Sequence, residues 1–148
     1  MRKYLVNSTY CVYLLDLREL YFDESIVTIN NVVEEVKHER GVVIEAPLIP
    51  IKKTSVGGKT DLLSNTDLAL LQTAKVMNYI LVTDDKNLIK AAHHNSVQTI
   101  DTPHFMHRLL MENKWSEEKT INILNRLKSI HNRIYIIEKV IKDIKNWG

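Results

Sequence analysis

The sequence predicts an α/β protein: a parallel sheet flanked by helices, followed by a C-terminal helical extension. Three observations lead there. Short apolar runs alternate with longer amphipathic stretches as far as about residue 100, the pattern of strands joined through covering helices. Turn residues are scarce, with four Gly and three Pro in 148 residues, which excludes a linker-rich or disordered chain. After Pro103 the strand-like runs stop and only helical periodicity remains. The chain accordingly divides into an α/β domain over residues 1–102 and a helical extension over 103–148.

Each element has a local reason. Lys3 to Val6 is a short β-favouring run, and Asn7-Ser8-Thr9 supplies capping chemistry for a mainly apolar helix through Tyr10, Leu14 and Leu17. Ser25 to Ile29 reads as a second strand. Asn30-Asn31 opens a helix carrying Val32, Val33 and Val36, which Gly41 ends. Val42 to Ile51 is extended but holds two prolines, so an edge strand is expected rather than a central one. Thr54 to Leu63, with Gly57-Gly58, reads as a flexible loop. Ser64-Asn65-Thr66-Asp67 begins the next helix, whose buried side is Leu68, Leu71, Ala74 and Val76-Met77. Tyr79 to Val82 is a strand, Asn87 to His94 a helix, and Val97 to Ile100 a last short strand. In the extension, Phe105, Leu109 and Leu110 mark one helix. Ser116-Glu117-Glu118 opens a second, long one running through Ile121, Leu127, Ile134 and Ile144.

The bulk numbers bound the function. A composition that is 45% hydrophobic and 26% charged is ordinary for one globular domain. The net charge of +2 permits nucleic-acid binding without arguing for it. A single cysteine, Cys11, excludes an internal disulfide framework and any cysteine-based zinc site. The apolar patch near Met1 is too short for a signal peptide or a membrane span, so a cytoplasmic chain without a membrane partner is expected. No Gly-x-Gly-x-x-Gly stretch exists to cradle a dinucleotide. A phosphoacceptor receiver domain needs an acidic pair after its first strand, where this chain has Asn7-Ser8.

In a parallel sheet, chemistry gathers beyond the carboxyl ends of the strands. Asn7 follows the first strand, Asp84 and Asp85 follow the strand at 79–82, Asp67 begins the helix leading into that strand, and Glu35 lies one turn inside the second helix. Each residue alone has a plain reading as a helix cap or a solvated face. Together they form an oxygen-rich set of the kind that suits a hard divalent cation, Mg2+ or Mn2+.

Four segments, in order, resemble the PIN-domain nuclease family. "YLVNSTYCVYLL" is similar to its first strand and helix, and "TINNVVEEVK" to its second segment, with the acid on Glu35. "LLSNTDLALLQTA" is similar to the third, with the aspartate on Asp67, and "ILVTDDKNLIKAA" to the fourth, with the Thr-x-Asp pattern on Thr83 and Asp85. The likeness covers residues 3 to 100, and its last two segments are the more specific. It implies a PIN-like fold and divalent-metal-dependent endoribonuclease activity. Asn7, Glu35, Asp67 and Asp85 would be the catalytic set and, with Asp84, the metal ligands. Ser8 and Thr83 would hold them from behind by hydrogen bonds. The family begins with an aspartate where this chain has Asn7. An amide brings no negative charge and cannot take a proton from a metal-bound water, so weak or absent cleavage is expected. The alternative is a non-catalytic RNA-binding or scaffold protein of the same fold.

RNA needs cations around such a pocket. Lys52, Lys53 and Lys59 in the glycine loop are the expected mobile clamp, with Lys86 and Lys90 behind the aspartate pair. The six histidines show no metal-ligand spacing. Kinship also implies a homodimer, and an antitoxin or other protein partner as in the toxins of the family. Trp115 and Trp147, with the surplus apolar positions of the last helix, are candidate anchors for such a contact.

Overall fold

The computed structural model describes residues 2–146. Its sheet contains four parallel strands: β1 (Tyr4–Val6), β2 (Ile26–Val27), β3 (Ile80–Val82) and β4 (Thr99–Ile100), in the order β2-β1-β3-β4. Val6 pairs with Val82 and Leu5 with Val27, so every strand ends on the same edge of the sheet. Seven helices surround it: α1 (Ser8–Asp16), α2 (Asn30–Arg40), α3 (Asn65–Met77), α4 (Lys86–His94), α5 (Thr102–Met111), α6 (Glu117–Leu127) and α7 (Ile134–Asn146). The parallel α/β class follows from the sequence as expected. Central strands buried on both faces read as continuous apolar runs, and Tyr4-Leu5-Val6 and Leu81-Val82 are wholly buried.

The helix boundaries are set by short polar side chains. Asn7 Oδ1 accepts from Tyr10 N at 3.2 Å and starts α1. Ser64 Oγ accepts from Asp67 N at 3.0 Å and starts α3. Gly41 closes α2 at φ 68°, a left-handed conformation that glycine adopts without steric penalty.

Two expectations are corrected. The segment 42–51 meets the sheet at one point only, the bridge of Leu48 to Thr28. Thr28 N donates to Pro47 C=O and Ile49 N to Thr28 C=O, while Pro47 and Pro50 have no N–H with which to continue a ladder. The long C-terminal helix is two helices, broken between Leu127 and Ile134. At the break His131, 3% exposed, turns inward, and α7 folds back so that Ile137, Val140, Ile141 and Ile144 join the same core as the sheet residues. Two shorter helices bury apolar positions that one long helix would leave in water.

The extension is welded to the sheet by aromatic rings. Phe105 of α5 lies 4.9 Å from Tyr4 and 5.5 Å from Tyr10, centroid to centroid. Lys114 adds a polar weld, with its Nζ 2.6 Å from both Asp23 Oδ2 and Ser25 Oγ. Trp115 is 4% exposed and packs edge-on against Tyr21, so its ring is committed within the chain. Trp147 lies outside the described residues. No described helix is long and apolar enough to cross a membrane.

Candidate active site

A cleft of about 680 Å³ opens at the carboxyl edge of the strands, lined in part by Asn7, Ser8, Glu35, Asp67 and Asp85. These residues come from four separate places in the chain. Asn7 is the first residue after β1, Glu35 sits on α2, Asp67 on the first turn of α3, and Asp85 is the N-cap of α4. Parallel strands bring the first and last together, and α2 and α3 supply the opposite walls.

Thr83 is the pin between two of them. It is fully buried, and its Oγ1 accepts from Asn7 Nδ2 at 2.8 Å and from Asp85 N at 3.1 Å. Asn7, 3% exposed, therefore has its amide nitrogen bound to Thr83 and its oxygen bound to Tyr10 N. Asp85 caps α4 through one oxygen alone, Oδ1, which accepts from Asn87 N at 2.8 Å and Leu88 N at 3.4 Å. That geometry leaves its second oxygen for the cleft.

Electrostatics sets Asp67 apart. Its carboxyl is pushed up to about 6, first by burial and then by the charges of Asp85 and Glu35, against a smaller downward pull from the Ser64 hydroxyl. Three acids thus share one field. Among the described residues, no three His, Cys, Asp or Glu side chains are grouped closely enough to form a ready-made ion site.

Asp84 stands elsewhere than expected. Its Oδ1 accepts from Thr102 N at 3.0 Å, its Oδ2 from the Thr102 hydroxyl at 2.5 Å, and His131 Nε2 lies 3.4 Å from Oδ1. Arg133 N donates to His131 Nδ1 at 3.1 Å, which leaves Nε2 as the protonated nitrogen facing Asp84. Asp84 is a brace between β3 and the C-terminal helices, and it does not line the cleft. Side chains of successive residues leaving a strand point to opposite faces, which sends Asp84 and Asp85 apart.

The lysines expected to clamp RNA stand outside the cleft lining. Lys52, Lys53, Lys59 and Lys86 are exposed, and none lines the cleft; neither does Lys90 nor Asp61. The glycine loop is fastened at several points. Lys52 N donates to Thr73 Oγ1, Gly57 N to Asn95 Oδ1, and Asn95 Nδ2 to Gly57 C=O. A Cβ on Gly58 would come within 2.8 Å of the His94 ring, so loop and helix meet there without a gap. Thr73 and Asn95 sit on or beside the later turns of α3 and α4, whereas Asp67 and Asp85 sit at the starts of those helices.

Sequence reasoning missed Asn31, Glu34, His38 and Glu39, which line the cleft from α2. The signal was present in the helical spacing. His38 is three residues from Glu35 and four from Glu34, so the three share one flank of the helix. Comparisons of the chain with protein-family models, with curated proteins and with solved structures find no match.

Proposed function

We propose that the chain is a divalent-metal-dependent endoribonuclease of PIN-domain type, weakened by the amide at Asn7. One observation carries the reading: oxygens from four distant segments, Asn7, Glu35, Asp67 and Asp85, line one cleft at the carboxyl edge of a parallel sheet. The Asp67 carboxyl, raised first by burial and then by the charges of Asp85 and Glu35, supports it, because a bound cation relieves the second of these causes. The donor set Asn7, Glu35, Asp67 and Asp85 fits Mg2+ or Mn2+, since these four present hard oxygens, beside one ring nitrogen on the wall at His38, and Asp85 keeps one oxygen clear of the helix cap. Such an ion, when bound, activates a water and offsets charge on a phosphodiester.

The chain's own residues have definite parts in this proposal. Asp67 and Asp85 hold the cation, with Glu35 directly or through water. Thr83 keeps Asn7 and Asp85 in register, and Ser8 lies beside them on the wall. Asn7→Asp is accommodated by reversing one hydrogen: the Thr83 hydroxyl then donates to the new carboxylate, and the cap bond to Tyr10 N is kept.

The test is cleavage of single-stranded RNA by the given chain and by Asn7→Asp, each with Mn2+ and with chelator. The Asn7→Asp chain is expected to cut at least about a hundredfold faster, and chelator is expected to abolish the difference. No metal-dependent cleavage by Asn7→Asp overturns the reading. One observation favours a second reading, a non-catalytic RNA-binding or scaffold protein: both polar atoms of Asn7 are satisfied inside the protein, as in a purely structural link. Tight RNA binding without cleavage by Asn7→Asp selects that alternative.

A further inference from the structure

The sheet ends at β4, and a groove of about 890 Å³ runs along that edge. Its walls come from α4, through Ile89 and His93, and from α5, through His104 and Arg108. Ile100 of β4 lies between them. The main chain of β4 is half used. Gln98 C=O accepts from Leu81 N at 2.9 Å and Ile100 C=O from Thr83 N at 3.0 Å. Backbone groups of a strand alternate in direction, so the N–H and C=O of Thr99 turn away from β3, toward the groove. No further strand follows on that side among the described residues.

Arginines outnumber acids around this edge. Arg2 and Arg108 both line the groove. The one acid among the lining residues, Asp101, is engaged: its Oδ1 accepts from His104 N at 2.8 Å and lies 2.7 Å from His104 Nδ1. Pairing with a second copy of this edge would set these arginines against their own kind, and it is disfavoured for that reason.

We propose that the groove between α4 and α5 takes an extended acidic segment of another protein, added as a strand to β4 through the Thr99 N–H and C=O. Main-chain bonds and the half-buried side chains of Ile80, Ile89 and Ile100 hold it, and the two arginines select for negative charge. This surface is separate from the acid cleft and stands without the nuclease reading.

The probe is a displayed library of random decapeptides selected against the whole chain. Selected peptides are expected to be acidic, with β-branched residues at alternate positions, and to slow hydrogen exchange at the Thr99 amide about tenfold or more. Arg2→Glu is expected to weaken them about tenfold, with the loss shrinking at high salt. Thr99→Pro is the sharpest variant, because it removes an N–H that the β3–β4 ladder does not use. It also removes the Thr99 hydroxyl that lies 3.1 Å from His93 Nε2, so Thr99→Val is the control for that contact: Thr99→Pro is expected to melt close to Thr99→Val and, unlike it, to lose peptide binding. Should Thr99→Pro unfold the chain, peptides N-methylated at alternate amides test the companion bond, the one the peptide N–H donates to the Thr99 C=O. The proposal is overturned if selection returns no acidic peptides, if Thr99 exchange is unmoved, or if N-methylated peptides bind as well as their parents. Sedimentation showing a dimer that the peptides dissociate overturns it as well, by giving the groove to a second copy.

Discussion

Asp67 and Asp23 carry the same side chain in opposite surroundings. Asp67 faces the cleft with Glu35 and Asp85 as neighbours, and its carboxyl is pushed up to about 6. At Asp23 burial also raises the carboxyl, but donors from Lys114, Ser25 and Tyr21 outweigh it and hold the group near 2. Burial acts upward in both places. The donors supplied decide the outcome. A carboxylate surrounded by donors stabilises the fold, whereas one facing other carboxylates is left with a demand that the protein does not meet. That contrast separates the weld beneath the sheet from the cleft above it.

Removing the satisfied acid should do the most harm. Asp23→Ala leaves the Lys114 ammonium and the Ser25 and Tyr21 donors without their shared acceptor, so a loss of about 3 kcal/mol is expected in denaturant unfolding. The parent should also lose stability in acid. A carboxyl lowered in the folded state stabilises above its unfolded value, and that contribution, about 2 kcal/mol, disappears as pH falls from about 4 through about 2. Asp23→Ala should flatten that part of the pH–stability curve. An unchanged curve would mean that Lys114 and Asp23 are not paired in solution.

The two adjacent aspartates sharpen the comparison at closer range. Asp84→Ala strands Thr102 and His131 and should cost about 2 kcal/mol. Asp85→Asn keeps an N-cap acceptor for α4 and should cost less than about 1 kcal/mol. Activity should divide the other way. In the Asn7→Asp background, Asp85→Asn is expected to lower cleavage about a hundredfold, while Asp84→Ala, measured well below its melting temperature, leaves most of it. Equal effects of the two changes on cleavage would return Asp84 to the site.

Much of this was legible because it is local. Apolar runs bounded by Asn7, Ser64 and Gly41 mark strands and helix ends, and the chemistry of a cap lies within three residues of it; the cap of α4 falls on Asp85, one residue beyond Asp84, for which a cap is the plain reading. Parallel topology then carries Asn7 and Asp85 to one edge without further information. What failed depended on distant partners. The fate of Asp84 was decided by Thr102 and His131, 18 and 47 residues away. The break in the last helical run depended on the faces that α5 offers, since α6 and α7 pack on α5 and on each other. The glycine loop read as free because its fasteners, Thr73 and Asn95, cannot be recognised until α3 and α4 are in place. Glu34, His38 and Glu39 were overlooked for a different reason, since a solvated helix flank and a cleft wall have the same composition.

The smallest expected effect bears most directly on the cleft. A carboxyl raised in the folded state binds its proton more tightly there than in the unfolded chain. Its penalty is therefore absent below the unfolded value near 4 and grows as pH rises through about 6. Asp67→Asn removes that penalty. Solvent and salt screen this partly exposed group, so the gain expected at pH 7 is about 1 kcal/mol, vanishing below about pH 4. Mn2+ should have the same sign of effect on the parent by a different route, raising its melting temperature at pH 7 because a cation offsets the charge that protonation would otherwise remove. The two effects should not add: Asp67→Asn has already lost both the repulsion and a ligand, so Mn2+ should shift it far less than the parent. If Mn2+ stabilises parent and Asp67→Asn equally, the ion binds elsewhere, and the crowding at Asp67 belongs to the fold rather than to a site.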